Sequence, residues 1–228
     1  MSRIVYKLNG YNLNTLGIIV KSADGLLDMP DLKKRKECDW ADMHGKIIDT
    51  ARPYFDTRKI TLDCAWPIAA NGSYNIQTAE QKIREDLLAL GALVRLEVEF
   101  DSSILAKPLI FNVIQDKGIT FGRKYSGSDV LLTFKIQLIE PQPCKMVLES
   151  KYSRNNNTRT TTSVAITSTA MFDVDWGDGT TTFDVKTSEA VTHTYSGQGT
   201  YYVIISGDVA AITSLTKSSD LDTLWTLK

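Results

Sequence analysis

Phe172-Asp173-Val174-Asp175-Trp176-Gly177-Asp178-Gly179-Thr180 decides how the last third of this chain folds. Apolar and polar residues alternate up to Trp176, which is the period of a strand with one buried face. Gly177 and Gly179 then supply the backbone freedom of a tight turn, and a returning strand follows. Asp178, between the two glycines, is placed to accept hydrogen bonds from turn amides. His193-Thr194-Tyr195 and Gly199-Thr200-Tyr201-Tyr202-Val203 come shortly after.

Bulk properties narrow the classes. A chain of 228 residues suffices for one large or two small domains. Its 43% hydrophobic and 23% charged residues are those of a globular protein. A formal net charge of -1 gives no reason to expect direct nucleic-acid binding or an anionic membrane as partner. No apolar run approaches the length of a membrane span, and no basic-then-apolar leader opens the sequence, so membrane insertion is not expected. Cys38, Cys64 and Cys144 are odd in number and widely spaced, and read as buried free thiols.

Working outward from the opening stretch, short strands dominate. Ile4 to Leu8 alternate and end at Asn9-Gly10, a strong hairpin signal. Leu16 to Val20 reads as the next strand, and Ala23 to Pro30 as a loop. The charge run Lys33 to Glu37 reads as a solvated or interface-facing strand edge. A turn at His44-Gly45 has strands on either side. In Lys59 to Trp66, Ile60, Leu62 and Cys64 share one face. The spacing predicts a single helix over about Thr78 to Leu90, with Thr78 and Gln81 as its capping box, a stripe of Ile83, Leu87 and Leu90, and Gly91 as its stop. Strands follow at Leu93–Phe100, Leu109–Ile114, Ile119–Gly122 and Val130–Ile139. Trp40, Trp66 and Trp176 all fall in alternating segments and read as core. Near the C-terminus, Ile212–Leu215 and Leu221–Leu224 read as a final strand or small hairpin.

Glu140-Pro141-Gln142-Pro143 stiffens the chain where composition turns threonine-rich, which sets two domains, 1–145 and 146–228. The fold class expected is mainly β, with one α-helix in the first domain; the resemblances given below imply a β-sandwich-type first domain and an immunoglobulin-like β-sandwich as the second.

Catalytic chemistry finds little support. His44 and His193 are the only histidines, and no nucleophile elbow or comparable signature accompanies them. Asp173, Asp175 and Asp178 are the best cation candidates, yet calcium needs six to eight oxygens and no calcium-loop motif is present. Bracing of the turn by Asp178 is the favoured reading. No cofactor is implied, and the chain does not read as an enzyme.

Trp176-Gly177-Asp178-Gly179 with His193, Tyr195 and Tyr201 resembles the signature of the polycystic kidney disease (PKD) domain, an immunoglobulin-like module that adheres or spaces. Residues 1–140 resemble the first domain of bacteriophage and prophage distal tail proteins. That resemblance rests on Tyr6-Lys7-Leu8-Asn9-Gly10, Gly17-Ile18-Ile19-Val20, Trp40-Ala41-Asp42-Met43-His44-Gly45 and Tyr54-Phe55-Asp56-Thr57-Arg58-Lys59-Ile60-Thr61-Leu62, followed by a single helix. It implies a homo-hexameric ring, the baseplate hub, between the tail tube and tail-tip proteins of a virion. Ala23 to Lys36 and Ala69 to Asn75 are then the loops to supply ring contacts, and the PKD-like part the outward accessory able to touch the host surface. The competing class is a bacterial surface adhesin or carbohydrate-binding module protein.

Overall fold

The structure, a computed structural model, describes residues 4–42, 44–49, 53–69, 75–89, 91–127, 129–152 and 161–227. Its fold is mainly β and of sandwich type, with one α-helix among the described residues. Two compact units divide the chain. Met1–Asp101 with Phe111–Pro143 form the first, and Ser102–Ile110 with Cys144–Lys228 the second.

The first unit contains β1 (Val5–Leu8), β2 (Tyr11–Asn12), β3 (Ile19–Asp24), β4 (Glu37–Asp39), β5 (Lys46–Ile48), β6 (Arg58–Ile68), α1 (Ile76–Gln81), β7 (Val94–Glu99), most of β8 (Leu109–Gln115), β9 (Phe121–Ser126) and β10 (Asp129–Glu140). All but β4 and β5 belong to one eight-stranded sheet, ordered β2-β1-β7-β8-β10-β6-β3, with β9 also paired to β10. The alternation along β6 buries Ile60, Leu62 and Cys64 on one face, as their spacing requires. Asn9 and Gly10 both take positive φ and join β1 to β2 as a two-residue loop, the geometry that matches strand twist.

The long pairing of β6 with β10 ends at Arg58 opposite Glu140. There the Arg58 Nε donates to Glu140 Oε2 at 3.1 Å, and both side chains are buried. The guanidinium also donates from Nη1 to the carbonyls of Asp28 at 2.5 Å, Gly25 at 3.3 Å and Leu26 at 3.4 Å. One ion pair therefore fixes both the end of the ladder and the loop after β3. Gly25 is required in that loop: its φ is +83°, and a Cβ would lie 1.9 Å from the Lys59 carbonyl oxygen.

Several expectations are corrected. Leu16 and Gly17 lie in a turn, so the second strand starts at Ile19 and continues through Ala23 and Asp24, where a loop was expected. The helix begins at Ile76, with Asn75 as its cap; Asn75 Oδ1 accepts from the Thr78 amide at 2.8 Å and Thr78 Oγ1 accepts from the Asn75 amide at 3.0 Å. Asparagine caps as well as threonine, and the box sits three residues earlier than expected. From Lys82 to Leu87 the helix widens into a π-helical turn that buries Ile83 and Leu87. Gly91 follows with φ +86°. Leu90, Met43, Ser128, the loop 70–74 and most of the polar stretch from Arg154 lie outside the described residues. Of the cysteines, all free, Cys64 is buried, Cys144 half-buried and Cys38 exposed. Trp66 and Trp176 are core, but Trp40 is 57% exposed, because no described residue covers the ribbon of β4 and β5 beside it.

The second unit contains β11 (Lys145–Tyr152), β12 (Thr161–Ser168), β13 (Phe172–Asp175), β14 (Thr181–Val185), β15 (Ala190–Thr194), β16 (Gly199–Gly207), β17 (Ile212–Lys217) and β18 (Leu221–Leu227). A five-stranded sheet, β14-β13-β16-β11-β18, packs on a three-stranded sheet, β15-β12-β17. Leu148, Val164, Ile166, Phe172, Val174, Trp176, Val203 and Ile205 fill the space between them. β17 and β18 lie in opposite sheets, so the two C-terminal segments are strands but not a hairpin. The other face of the larger sheet has its own small cluster of Ile110, Val147, Tyr202 and Ile204. Segment Ser102–Ile110 is tied there, with Lys107 Nζ donating to the Thr223 and Leu224 carbonyls and Trp225 Nε1 to Pro108 O.

Glu140→Ala would leave the Arg58 guanidinium buried without its counter-charge. We expect the first unit to lose about 3–5 kcal/mol of stability, read as a lower urea midpoint, with Glu140→Gln losing less because it still accepts a hydrogen bond.

Candidate functional site

The turn after β13 is held from three sides. Trp176 N donates to Thr180 O at 3.0 Å, which closes the turn, and Gly177 and Gly179 take φ of +86° and +91°. Asp175 Oδ1 accepts from the Gly177 amide at 2.9 Å, and Asp178 Oδ1 from the Thr180 amide at 3.1 Å and the Thr180 hydroxyl at 2.6 Å. Asp173 Oδ1 accepts from the Asp184 amide at 3.0 Å, which braces Asp184 at a positive φ. Each of the three candidate cation ligands thus accepts a backbone amide, Asp175 and Asp178 within the turn and Asp173 from the neighbouring β14. Among the described residues, no group of three or more His, Cys, Asp or Glu side chains is arranged to hold a metal ion.

Aromatic rings complete the corner. The indole of Trp176, 1% exposed, stacks on His193 with centroids 5.1 Å apart and planes 18° apart. His193 meets Tyr195 edge-on at 4.9 Å, and Tyr195 stacks on Tyr201 at 3.9 Å. Polar ends of these rings are satisfied: Trp176 Nε1 donates to Thr182 Oγ1 at 2.9 Å, and Tyr195 OH to Trp176 O at 3.1 Å. His193 Nε2 lies 2.7 Å from Asp178 Oδ2. Burial pushes the Tyr195 phenol above its ordinary pKa, which keeps it a donor. Trp176, Asp178, His193, Tyr195 and Tyr201 therefore meet in one corner, joined by hydrogen bonds and ring contacts.

The first unit presents the opposite situation. Among the described residues β4 and β5 pair only with each other, and every one of those from Asp31 to Asp49 is exposed. Asp56 N to Asp31 O, Lys33 N to Tyr54 O and Asp49 N to Lys36 O extend the pairing into one two-stranded arm. Nine residues along one side span about 30 Å at strand rise. Leu32, Trp40, Ile47, Ile48 and Tyr54 place large apolar surface on this arm, among four consecutive basic residues, Lys33 to Lys36. The turn at His44-Gly45 forms as expected, with Gly45 at φ +80°. Reading Trp40 as core missed the arm; the signal available was the charge run beside it, which does not belong in a covered strand.

No protein-family model matches this chain, and no curated protein matches it. Among solved structures it is similar to the SPP1 Dit (gp 19.1) protein, described as a paradigm of the hub adsorption apparatus in phages infecting Gram-positive hosts. The identity is 14%, over 89% of this chain and 79% of that one, with a TM-score of 0.43. At that score the likeness carries no argument. No helix among the described residues is long and apolar enough to cross a membrane.

Two tests address the corner. Tyr195→Phe removes the bond to Trp176 O and should cost the second unit about 1 kcal/mol in urea unfolding. Burial opposes ionisation of Asp178, but hydrogen bonds from Thr180 and His193 outweigh it and hold the carboxyl below its usual range. The unfolded chain then binds that proton more tightly, so this contribution is whole above about pH 5 and is lost as pH falls through the lowered folded value. Asp178→Asn should lower stability near neutrality and flatten the acid side of the stability profile.

Proposed function

We propose that this chain is a structural component of a bacteriophage or prophage tail: a distal tail protein whose first domain closes into a ring, the baseplate hub between tail tube and tail tip. The observation that carries the reading is the arm in which the described residues of Asp31–Asp39 run beside Lys46–Asp49 and Tyr54–Asp56. An isolated two-stranded ribbon is marginal in water, and exposed apolar patches of this kind mark contacts with other proteins. A second copy is the partner implied by the resemblance of residues 1–140 to distal tail proteins. A ring needs two different surfaces per subunit, and an arm with exposed apolar residues supplies one of them.

In this reading the ring is homo-hexameric, the protein works without a cofactor and not as an enzyme, and its place is the virion tail. The second domain is a PKD-like accessory. Its satisfied, closed corner at Trp176 supports a role as a spacer or outward-facing adhesive module more than as a binding pocket.

Ile47→Lys together with Ile48→Glu tests the reading. Both positions are exposed in the single chain, so the folded subunit should keep its circular dichroism and urea midpoint within about 0.5 kcal/mol. Solution mass and negative-stain imaging should show hexameric rings for the unaltered protein and single chains for the variant. An unaltered protein that stays a single chain at high concentration, or a variant that assembles equally well, overturns it.

A further inference from the structure

Along β10, Thr133, Lys135 and Gln137 alternate with the buried Leu132, Phe134, Ile136 and Leu138, so the three polar residues share the face of the sheet turned away from the core. The register sets Asp63 of β6 opposite Lys135, and Gly122 of β9 opposite Thr133. Gly122 carries no side chain, and a Cβ there would lie 2.6 Å from Thr133 Oγ1. This bare backbone lines a hollow of about 540 Å³ together with Lys21 and Lys124. Lys21 Nζ pairs with Asp63 Oδ1 at 3.0 Å. Lys124 and Lys135 are exposed and have no ion-pair partner among the described residues. Three lysines against one aspartate leave the hollow at +2, in a chain whose formal net charge is -1.

We propose that this hollow is a binding site for a sugar phosphate, a use independent of ring assembly. Charge selects the phosphate. A phosphate monoester carries about -1.5 to -2 at neutral pH, which matches two unpaired ammonium groups where a carboxylate would match one. Like charges sharing one concavity repel, so an anion between them relieves a cost carried by the empty site. Lys124 pairs with Leu131 in the register, four residues along β10 from Lys135 or about 13 Å at strand rise, a gap that two flexible four-carbon stems close from either side. The rest of the lining selects a polyol. Thr120, Thr133 and Gln137 offer hydroxyl and amide groups, and Asp63 keeps Oδ2 as an acceptor. Phe134, the one aromatic residue on the described lining, is 2% exposed, which leaves no open ring for a nucleobase to stack on. At about 540 Å³ the hollow falls in the range of small-ligand sites and has room for more than a bare phosphate ion.

Calorimetric titration of the full-length protein with glucose 6-phosphate at fixed ionic strength tests the assignment. We expect saturable binding, weaker binding of inorganic phosphate, and none of glucose. Lys124→Ala and Lys135→Ala should each weaken the binding of glucose 6-phosphate about tenfold, the equivalent of one charge-assisted hydrogen bond. Both side chains are exposed, so the urea midpoint should stay where it is. Lys33→Ala/Lys34→Ala removes two exposed lysines outside the hollow and should leave the affinity unchanged. An absence of saturable binding, or an equal loss in Lys33→Ala/Lys34→Ala, overturns the site. Inorganic phosphate bound as tightly as the ester, or glucose bound without its phosphate, overturns the sugar-phosphate assignment. Whether the chain forms rings is read separately by solution mass, so the two proposals fail independently.

Discussion

The buried pair of Arg58 and Glu140 is the constraint on which the first unit depends. It closes one end of the β6–β10 ladder, and its remaining guanidinium hydrogens hold the carbonyls of Gly25, Leu26 and Asp28. A charge buried at that depth is tolerated only with a full set of partners, so the loop cannot drift without stranding it. That loop ends β3 and leads into the arm. The end of β3 and the chain that leads to the arm are thereby tied to one ion pair. The ring of Phe111 lies 5.5 Å from the guanidinium carbon and completes the enclosure.

The second unit answers its own demands. In the Trp176 corner the indole Nε1 and the Tyr195 hydroxyl each have a partner, and the aromatic rings stack beside them. A closed sandwich of this kind is suited to being carried on another protein. In the first unit, by contrast, the arm exposes the apolar surface that a stable single chain would cover. The contrast between a saturated corner and an unsaturated arm underlies the proposed division between accessory and assembling domain.

How much of this could be read from residues depends on the range of the forces involved. Strand alternation in β6, β7 and β10 and the Asn9-Gly10 turn were legible, because period and turn chemistry act over a few residues. The Trp176 corner was legible for the same reason: its glycines, aspartate and aromatic spacing are local. The cap of the helix was missed by three residues because Asn75 and Thr78 are both acceptable caps, and only their reciprocal bonds distinguish them. Trp40 was misread because alternation reports two faces but not whether anything covers either.

By itself the sequence determined a mainly β chain, its short strands and tight turns, and the set of residues that lock the Trp176 corner. Those features arise from steric and hydrogen-bonding preferences within a few residues. Tertiary structure alone decided that Arg58 would meet Glu140 82 positions away, that Ile4 and Tyr6 would line one cavity with residues of β3, and that the described residues from Asp31 to Asp49 would stand exposed. These depend on which distant surfaces meet, and pattern within a segment carries no record of what lies across from it.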